Sequence, residues 1–549
     1  MRNLLVPPSS LVVLKDQVSL IRNKFGEEVI SRWRDFSFIM GYSLSVDDEV
    51  KIELNPDRPD LFSFVTLNRA SQVYYGFVTL KDIKFSRSND SVIFKKSAMN
   101  LRPYFTVFEA TGSEIGDHLG DLIDYQEKLH ESIGKDRKKV SIGIHDRSGI
   151  KFPITYQGMD RDSTSFTTYD GFNGTAEEIL KSHPRGSEYG NLIKSNKLVP
   201  IISDDNGNVV SMPPVVNGIT TKLEGGTNKF LIDVTGTETR TVRSAAWMLA
   251  NYFSALGYLI SLPDVWYESR DMYYDWWKAS SVKLSLSTVK AVIGAPVEPK
   301  DAVKDLRRMG LMAVNDTYPL QIMVPGFRDD IMGEVDIIED LAKSIRYSEI
   351  PEKSISLPLS GKANAMNDFS DRIRTIFIGA GFQEVMTFVV GAPSLYKEFG
   401  LHSSYEIMNP KSTDFSFIRT ALYPGMLEFL KHNKSRGVPQ RIFEIGRVVA
   451  ADKEMMKACL MIIGPKTNYA TTKSVADAVI QRISGIKAEV ARTSIEAMIE
   501  GRGGVLLVNG ENVGIIGEVH PRHLDFFELN FPACFIELDL DALIRNSCH

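Results

Sequence analysis

Three observations predict a multidomain α+β protein. The chain has 549 residues, more than one core organises, since domains usually hold about 100–200 residues. Apolar residues make up 43% and charged residues 24%, which supplies several cores and argues against wholesale disorder. Strand-like runs alternate with helical-period stretches, and the last third is dense in strand-like runs, predicting a broad antiparallel sheet there.

Residues 50–54, VKIEL, alternate as a strand. NPDRPD follows as a turn, and LFSFVTLNRASQVYYG reads as a helix that stops at Gly76. Residues 84–100 are polar and read as a linker. Five β-like runs then follow: FTVFEA (105–110), KVSIGIH (139–145), VPIIS (199–203), NVVSMPPVVNGIT (208–220) and KFLIDVTGT (229–237). Among them lie a helix, LGDLIDYQEKLHESIG, with Leu119, Leu122, Ile123, Leu129 and Ile133 on one side, and a second, VRSAAWMLANYFSALG, stopping at Gly257. SLSTVKAVIG and EPKDAVKDLRRMGL read as two helices, YPLQIMVP as a strand and residues 335–346 as an acidic helix. Helix–helix–strand–helix in so short a span predicts a winged-helix-like module. The final region opens with the helix FSDRIRTIFIGAG and the strand FQEVMTFVV. It continues through QRIFEIGRVVA, CLMIIG, GGVLLVNG, NVGIIGEVH and ACFIELDL, all strands. The domains expected are 1–95, 96–275, 276–352 and 360–549.

Net charge is −5, so nothing global announces nucleic acid, although a local basic face remains compatible with it. Cys459, Cys534 and Cys548 share no metal-ligand spacing and read as reduced thiols. Pro7, Pro8 and Lys15 interrupt the apolar start, so no signal peptide is expected. No run of about 18 apolar residues occurs, so no membrane span is expected. The expected location is the cytoplasm.

The densest chemistry lies at 325–347, PGFRDDIMGEVDIIEDLAKSIRY. Six of the twelve residues from Asp329 to Asp340 are acids. On a helix, Asp336, Glu339 and Asp340 stand at i, i+3 and i+4 and share a face. Like charges so placed cost about 0.2–0.5 kcal/mol per pair when exposed, offset in part by the helix dipole near its N-terminus. The bland reading is a solvated first turn. The sharper one is a hard-cation site, because Mg²⁺ needs few carboxylates and keeps its waters, and Asp330 lies within reach.

The stretch VPGFRDDIMGEVDIIEDLAKSIRYSEIP resembles the signature of the phenylalanyl-tRNA synthetase β-subunit family, where VP-x-x-R-x-D-I leads into an acidic helix and a Y-x-x-I-P exit. NPDRPDLFSFVTLNRASQVYYG is similar to the family's NRPDL segment. QEKLHESIGKDRKKVSIGIHD and SMPPVVNGITTKLEGGTNKFLIDVTGT resemble its central domain. MNPKSTDFSFIRTALYPGMLEFLKHNKSRGVPQRIFEIGRVV and GEVHPRHLDFFELNFPACFIELDLDAL resemble its C-terminal core. The matches run in order from about residue 50 to 543. The chain has room for neither extra terminal domain of the bacterial form, so it resembles the archaeal/eukaryotic type, with an archaeal source expected.

The resemblance implies a B3/B4-type editing domain, a winged-helix-like B5 domain and a C-terminal class II synthetase-like antiparallel sheet core. It implies Mg²⁺ ligands at Asp330, Asp336, Glu339 and Asp340, with a structural role in assembly with an α subunit. It also implies an (αβ)₂ heterotetramer that attaches phenylalanine to tRNA(Phe). The C-terminal region lacks a glycine-rich strand leading into a Glu–Arg helix, and RIFEIGRVV keeps only part of the family's arginine pattern. The aminoacylation site, with ATP and phenylalanine, is therefore expected in the α subunit. Arg419, Arg441 and Arg447 are read as structural or interface residues.

An apolar pocket rejects an added hydroxyl by only about 100-fold, so tyrosine misattached to tRNA(Phe) calls for a second, hydrolytic site. Candidates near the matched motifs are His130, His145, Ser211, Asn217, Asp233 and Thr235. Each also has a structural reading; Asp233 and Thr235 could simply make a turn. SFTTYDGF (165–172) departs from the family's F-x-P-L segment. The basic runs KDRKK (135–139) and KHNKSRGVPQR (431–441) read either as RNA-tracking or as solvated turns. Two other functions compete: a free-standing aminoacyl-tRNA deacylase and a non-enzymatic RNA-binding scaffold. The C-terminal core weighs against the first and the net charge against the second.

Overall fold

The computed structural model describes residues 11–546 apart from 80–81, 196, 270–272, 353, 355–360, 403–404 and 451. The first ten residues, on which the signal-peptide expectation partly rests, and Cys548 lie outside the described residues. Two compact units divide the chain, residues 1–354 and 355–549.

In the first unit, a three-stranded antiparallel sheet runs in the order Val12–Gln17, Glu49–Leu54, Ser43–Val46. The turn after Leu54 closes as a short 3-10 helix at Pro59–Leu61. Ser63 then caps the helix Phe64–Tyr74 by accepting the Thr66 N–H. Gly76 follows with φ +74°, the left-handed conformation expected of a stop.

A nine-stranded sheet forms the centre, in the order Val216–Asn217, Val209–Met212, Leu198–Ser203, Ile154–Asp160, Phe85–Phe94, Leu259–Tyr267, Tyr104–Thr111, Lys229–Gly236, Val140–Asp146. Neighbouring strands are antiparallel except around Phe85–Phe94, which runs parallel to both neighbours. The central strands bury both faces. Phe105 and Val107 join one apolar cluster while Phe108 and Ala110, one pleat over, join another, as the two-residue period of a strand requires. The helix Thr239–Ala255 packs on one face against Tyr104–Thr111 and Lys229–Gly236. Helix Phe64–Tyr74 packs on that helix in turn.

The strand Phe85–Phe94 corrects the expected linker at 84–100, and with it the 1–95 boundary. Its first half is polar and part-exposed, so no apolar alternation marked it. Its polar groups are nevertheless partnered, with Ser88 donating to Glu109 at 2.6 Å and Asp90 paired with Arg147. A single apolar cluster runs from Leu14 through Phe253 to Met309, so the N-terminal and central regions share one core.

Residues 280–345 form a small module. Its antiparallel sheet has the order Ser280–Leu284, Leu320–Val324, Met312–Ala313, two strands more than expected. Helices Leu286–Ile293, Pro299–Arg308 and Glu334–Ile345 enclose a core in which Ile337, Ile338 and Leu341 are fully buried. That is the apolar stripe read from the acidic helix.

The second unit holds a seven-stranded sheet in the order Gln383–Glu384, Gln440–Ala450, Lys453–Ile463, Ala533–Asp539, Glu511–Val519, Met498–Val508, Glu489–Arg492. All pairs are antiparallel except the first. Cys459, Met461 and Ile463 face one core while Ala458, Leu460 and Ile462 face the other. The expected strand FQEVMTFVV is largely absent; only Gln383–Glu384 and Val390–Gly391 pair. Met386 and Phe388 between them are 89% and 77% exposed. The apolar alternation there has no core within the described residues to pack on.

Candidate functional site: a charged cavity on the central sheet

A cavity of about 330 Å³ opens where helix Leu119–Glu131, strand Val140–Asp146 and residues 211–223 meet. Leu119, Ile123, Ile142 and Ile144 make an apolar wall, and Ser211, Asn217, Glu127, Arg137 and Arg185 bring polar groups to it. Ser211 Oγ donates to Asn217 Oδ1 at 3.1 Å.

Glu127 and Arg137 were not anticipated. Arg137 Nη2 donates to Glu127 Oε1 at 2.8 Å, and its Nη1 donates to the carbonyls of Pro214 and Val215 at 3.1 and 3.3 Å. Its guanidinium lies 4.5 Å from the Tyr189 ring centre. Burial pushes the Glu127 carboxyl up, but the His130 hydrogen bond and the Arg137 charge outweigh it and bring it down to about 2. An ionised carboxylate therefore stands in a largely apolar cavity.

The turn KDRKK aims Arg137 there. Lys135, Asp136 and Arg137 are consecutive residues at φ +47°, +53° and +62°, each costing about 1–2 kcal/mol in a non-glycine residue. Such a run persists only where the surroundings over-determine it. Buried Arg102 is one restraint: it donates to the Arg137 carbonyl at 3.3 Å and to Thr235 Oγ1 and O at 3.3 and 3.0 Å. Only Arg137 of this basic run lines the cavity, a placement neither reading of KDRKK foresaw.

The six sequence candidates separate. Ser211 and Asn217 line the cavity; His130, His145, Asp233 and Thr235 stand behind its wall. Thr235 anchors Arg102. His130 Nε2 accepts the Ile142 N–H at 2.8 Å, which leaves its proton on Nδ1, 3.3 Å from Glu127 Oε1. Asp233 Oδ2 lies 2.8 Å from His145 Nε2, and His145 Nδ1 lies 2.9 Å from Thr221 Oγ1. Thr221 lines the cavity, so this buried relay ends at a hydroxyl in the wall. The departing segment SFTTYDGF contributes Tyr169 to the same cavity.

The acidic helix is arranged differently. Asp336 Oδ2 accepts the N–H groups of Met332 and Gly333, both at 2.8 Å, as an N-terminal cap. Asp330 receives a two-pronged contact from Arg328, at 2.9 and 2.7 Å. Arg328 Nη2 also reaches Asp340 Oδ2 at 2.6 Å. Arg58, from the distant NPDRPD turn, pairs with Asp60 at 2.8 Å and lies 3.9 Å from Asp330. Glu339 meets Lys343 at 3.4 Å and accepts the Tyr347 hydroxyl at 2.7 Å. Among the described residues no three His, Cys, Asp or Glu side chains assemble as a metal cage. The four acids thus do not fit a Mg²⁺ ion in this arrangement, because each already has a protein partner and guanidinium occupies the space between Asp330 and Asp340. No helix among the described residues is long and apolar enough to cross a membrane.

The profile of the "Phenylalanyl tRNA synthetase beta chain CLM domain" matches residues 350–540, and that of the "tRNA synthetase B5 domain" matches 282–347. The phenylalanine–tRNA ligase β subunit of Thermoplasma volcanium is 39% identical over 97% of this chain and 99% of its own length. That of Thermoplasma acidophilum is 37% identical over 98% and 99%, and that of Methanocaldococcus jannaschii 31% identical over 90% and 92%. A crystal structure of an N-terminal fragment of the phenylalanyl-tRNA synthetase β subunit from Pyrococcus horikoshii aligns with TM-score 0.56 and 27% identity, over 60% of this chain and 99% of the fragment.

Two predictions arise from this geometry. Burial holds His130 near 4, below its ordinary 6.5. It therefore contributes stability that is full above pH 6.5 and lost as pH falls toward 4. Urea unfolding of the full chain at neutral pH and near pH 5 should show a His130→Gln variant losing less stability than wild type over that interval. Equal losses would contradict it. Thermal melts of the isolated chain in Mg²⁺ and in chelator should superimpose. A rise with Mg²⁺ that Asp336→Ala abolishes would show a cation site. By sequence relationship along nearly its whole length, the chain belongs to the phenylalanine–tRNA ligase β-subunit family.

Proposed function

We propose that this chain is the β subunit of a phenylalanine–tRNA ligase, working with an α subunit to attach phenylalanine to tRNA(Phe) with ATP, and that its cavity hydrolyses tyrosyl-tRNA(Phe). The near full-length relatives support the first part. The C-terminal unit is read as a class II synthetase-like core without its own aminoacylation site. Its Arg419 is buried in a 2.5 Å ion pair with Glu444 and so is not free to hold ATP. Met386, Phe388 and Met408, 89%, 77% and 92% exposed, offer apolar surface for an α subunit in an (αβ)₂ assembly. A Mg²⁺ ion at the acidic helix is proposed only for the assembled enzyme, where a partner would have to supply ligands.

The ionised Glu127 carboxylate in the apolar cavity carries the editing reading. The aromatic ring sits against Leu119, Ile123, Ile142 and Ile144, and a tyrosine hydroxyl donates to Glu127. Phenylalanine would cover that carboxylate without supplying the further hydrogen bond, and a site built around a hydroxyl strongly rejects the analogue lacking one. Ser211 and Asn217 hold the amino-acid end. Asp233 and His145 orient the Thr221 hydroxyl, which positions the attacking water at the ester carbonyl; the proton lost by water leaves with the tRNA hydroxyl.

The purified αβ complex should hydrolyse tyrosyl-tRNA(Phe) much faster than phenylalanyl-tRNA(Phe). Glu127→Gln should slow the former by about 10–100-fold, the range for losing a hydrogen bond to a charged group, with aminoacylation unchanged. Equal hydrolysis of the two substrates by wild type would refute the editing role. Absence of aminoacylation by the complex would refute the ligase role.

A further inference from the structure

We infer that the C-terminal unit carries a second site, a cavity that takes a phosphodiester of bound RNA. A polar cavity of about 690 Å³ lies between residues 381–385 and 429–442, and none of its lining residues is acidic. The basic run KHNKSRGVPQR divides there. Lys431 and Lys434 both reach Glu528, at 2.9 and 2.7 Å, so their charge is already met. Arg436 and Arg441 line the cavity instead, and no ion pair is formed by either among the described residues.

Arg441 is the more telling of the two. Its guanidinium lies 4.5 Å from the Phe382 ring centre, which fixes the plane of the fork. Its Nε is buried without a hydrogen-bond partner. That Nε is closed off from the cavity, so the guanidinium meets a ligand through its Nη groups. A guanidinium in a lining without acids suits an anion with several oxygens, where a lysine offers only a point charge. Gln383 and Gln440 add neutral amides to the lining. Phe382 is already covered by Arg441, so that ring offers no open face to a base; the site suits backbone phosphate over base recognition. The choice of RNA as ligand rests on reading the chain as a tRNA-ligase subunit; the phosphate chemistry does not.

Binding of a tRNA transcript to the full chain, measured by fluorescence anisotropy in rising KCl, tests the site. Each neutralised phosphate contact contributes about 0.7–0.9 to the slope of log affinity on log salt. Arg441→Gln and Arg436→Gln should each lower the slope by about that amount. Lys434→Gln should match wild type. Arg441→Lys should restore the slope but not the full affinity. Wild-type slopes in both glutamine variants would overturn the site, and because Arg436 is exposed, its variant keeps the test sound if Arg441→Gln misfolds. Displacement of the RNA by millimolar ATP in an Arg441-dependent way would overturn the RNA source in favour of a nucleotide; indifference to ATP supports it. Failure of either kind leaves aminoacylation by the αβ complex untouched, so it is distinguishable from failure of the ligase reading.

Discussion

Two arginines buried beside three carboxylates set the frame of the first unit. Arg58 and Arg328 are 6% and 3% exposed, Asp60 and Asp340 1% and 4%. Burial works against both guanidinium charges, and the facing carboxylates more than offset it. Removing one member of such a group strands the others in low dielectric at a cost of about 3–5 kcal/mol. The members come from separate places: Arg58 and Asp60 from the turn after the first small sheet, Arg328 and Asp330 from the turn before the acidic helix, and Asp340 from that helix. Arg328 also donates to the Met309 carbonyl at 3.1 Å. Where these turns must meet, the helix that follows Arg58 is set against Thr239–Ala255, and the latter covers the central sheet.

The same reasoning applies at the cavity. Arg102 is buried without a carboxylate of its own, and burial pushes it down to about 10. Its carbonyl acceptors hold the left-handed turn that delivers Arg137, and Arg137 with His130 keeps Glu127 ionised. The ionised Glu127 carboxylate thus depends on a chain of hydrogen bonds that begins at Thr235. Backbone strain in the turn is tolerated because Arg102 ties its end to Thr235, which lies on the central sheet.

Much of this was legible in the residues. The stripe of Ile337, Ile338 and Leu341, the runs ending at Gly76 and Gly257, and the two-faced apolar strands all follow from local periodicity. Ser211 and Asn217, two of the six candidates, line the cavity. What periodicity missed were relationships between distant segments. The strand Phe85–Phe94 is polar in its first half and gains its place from parallel neighbours that only the fold supplies. Met386 and Phe388 alternate like a strand but meet no core among the described residues. The acids of 329–340 looked unbalanced because Arg58 is remote in sequence. Glu127 sits on a predicted helix with nothing near it in sequence to single it out; Arg137, ten residues on, is turned back upon it.

The most direct test of the buried cluster as an organising constraint is a double-mutant cycle on Arg328 and Asp340, using Arg328→Met and Asp340→Leu and reading urea unfolding of the first unit. Arg328→Met should lose about 3–5 kcal/mol, because it leaves the buried Asp340 carboxylate without its partner; Asp340→Leu should lose less, because Arg328 keeps its two-pronged contact with Asp330. The double variant should recover at least about 1.5 kcal/mol of the summed loss, the coupling expected of contacting partners in one network. Additive losses would mean that the two side chains do not act on each other, and would contradict the account.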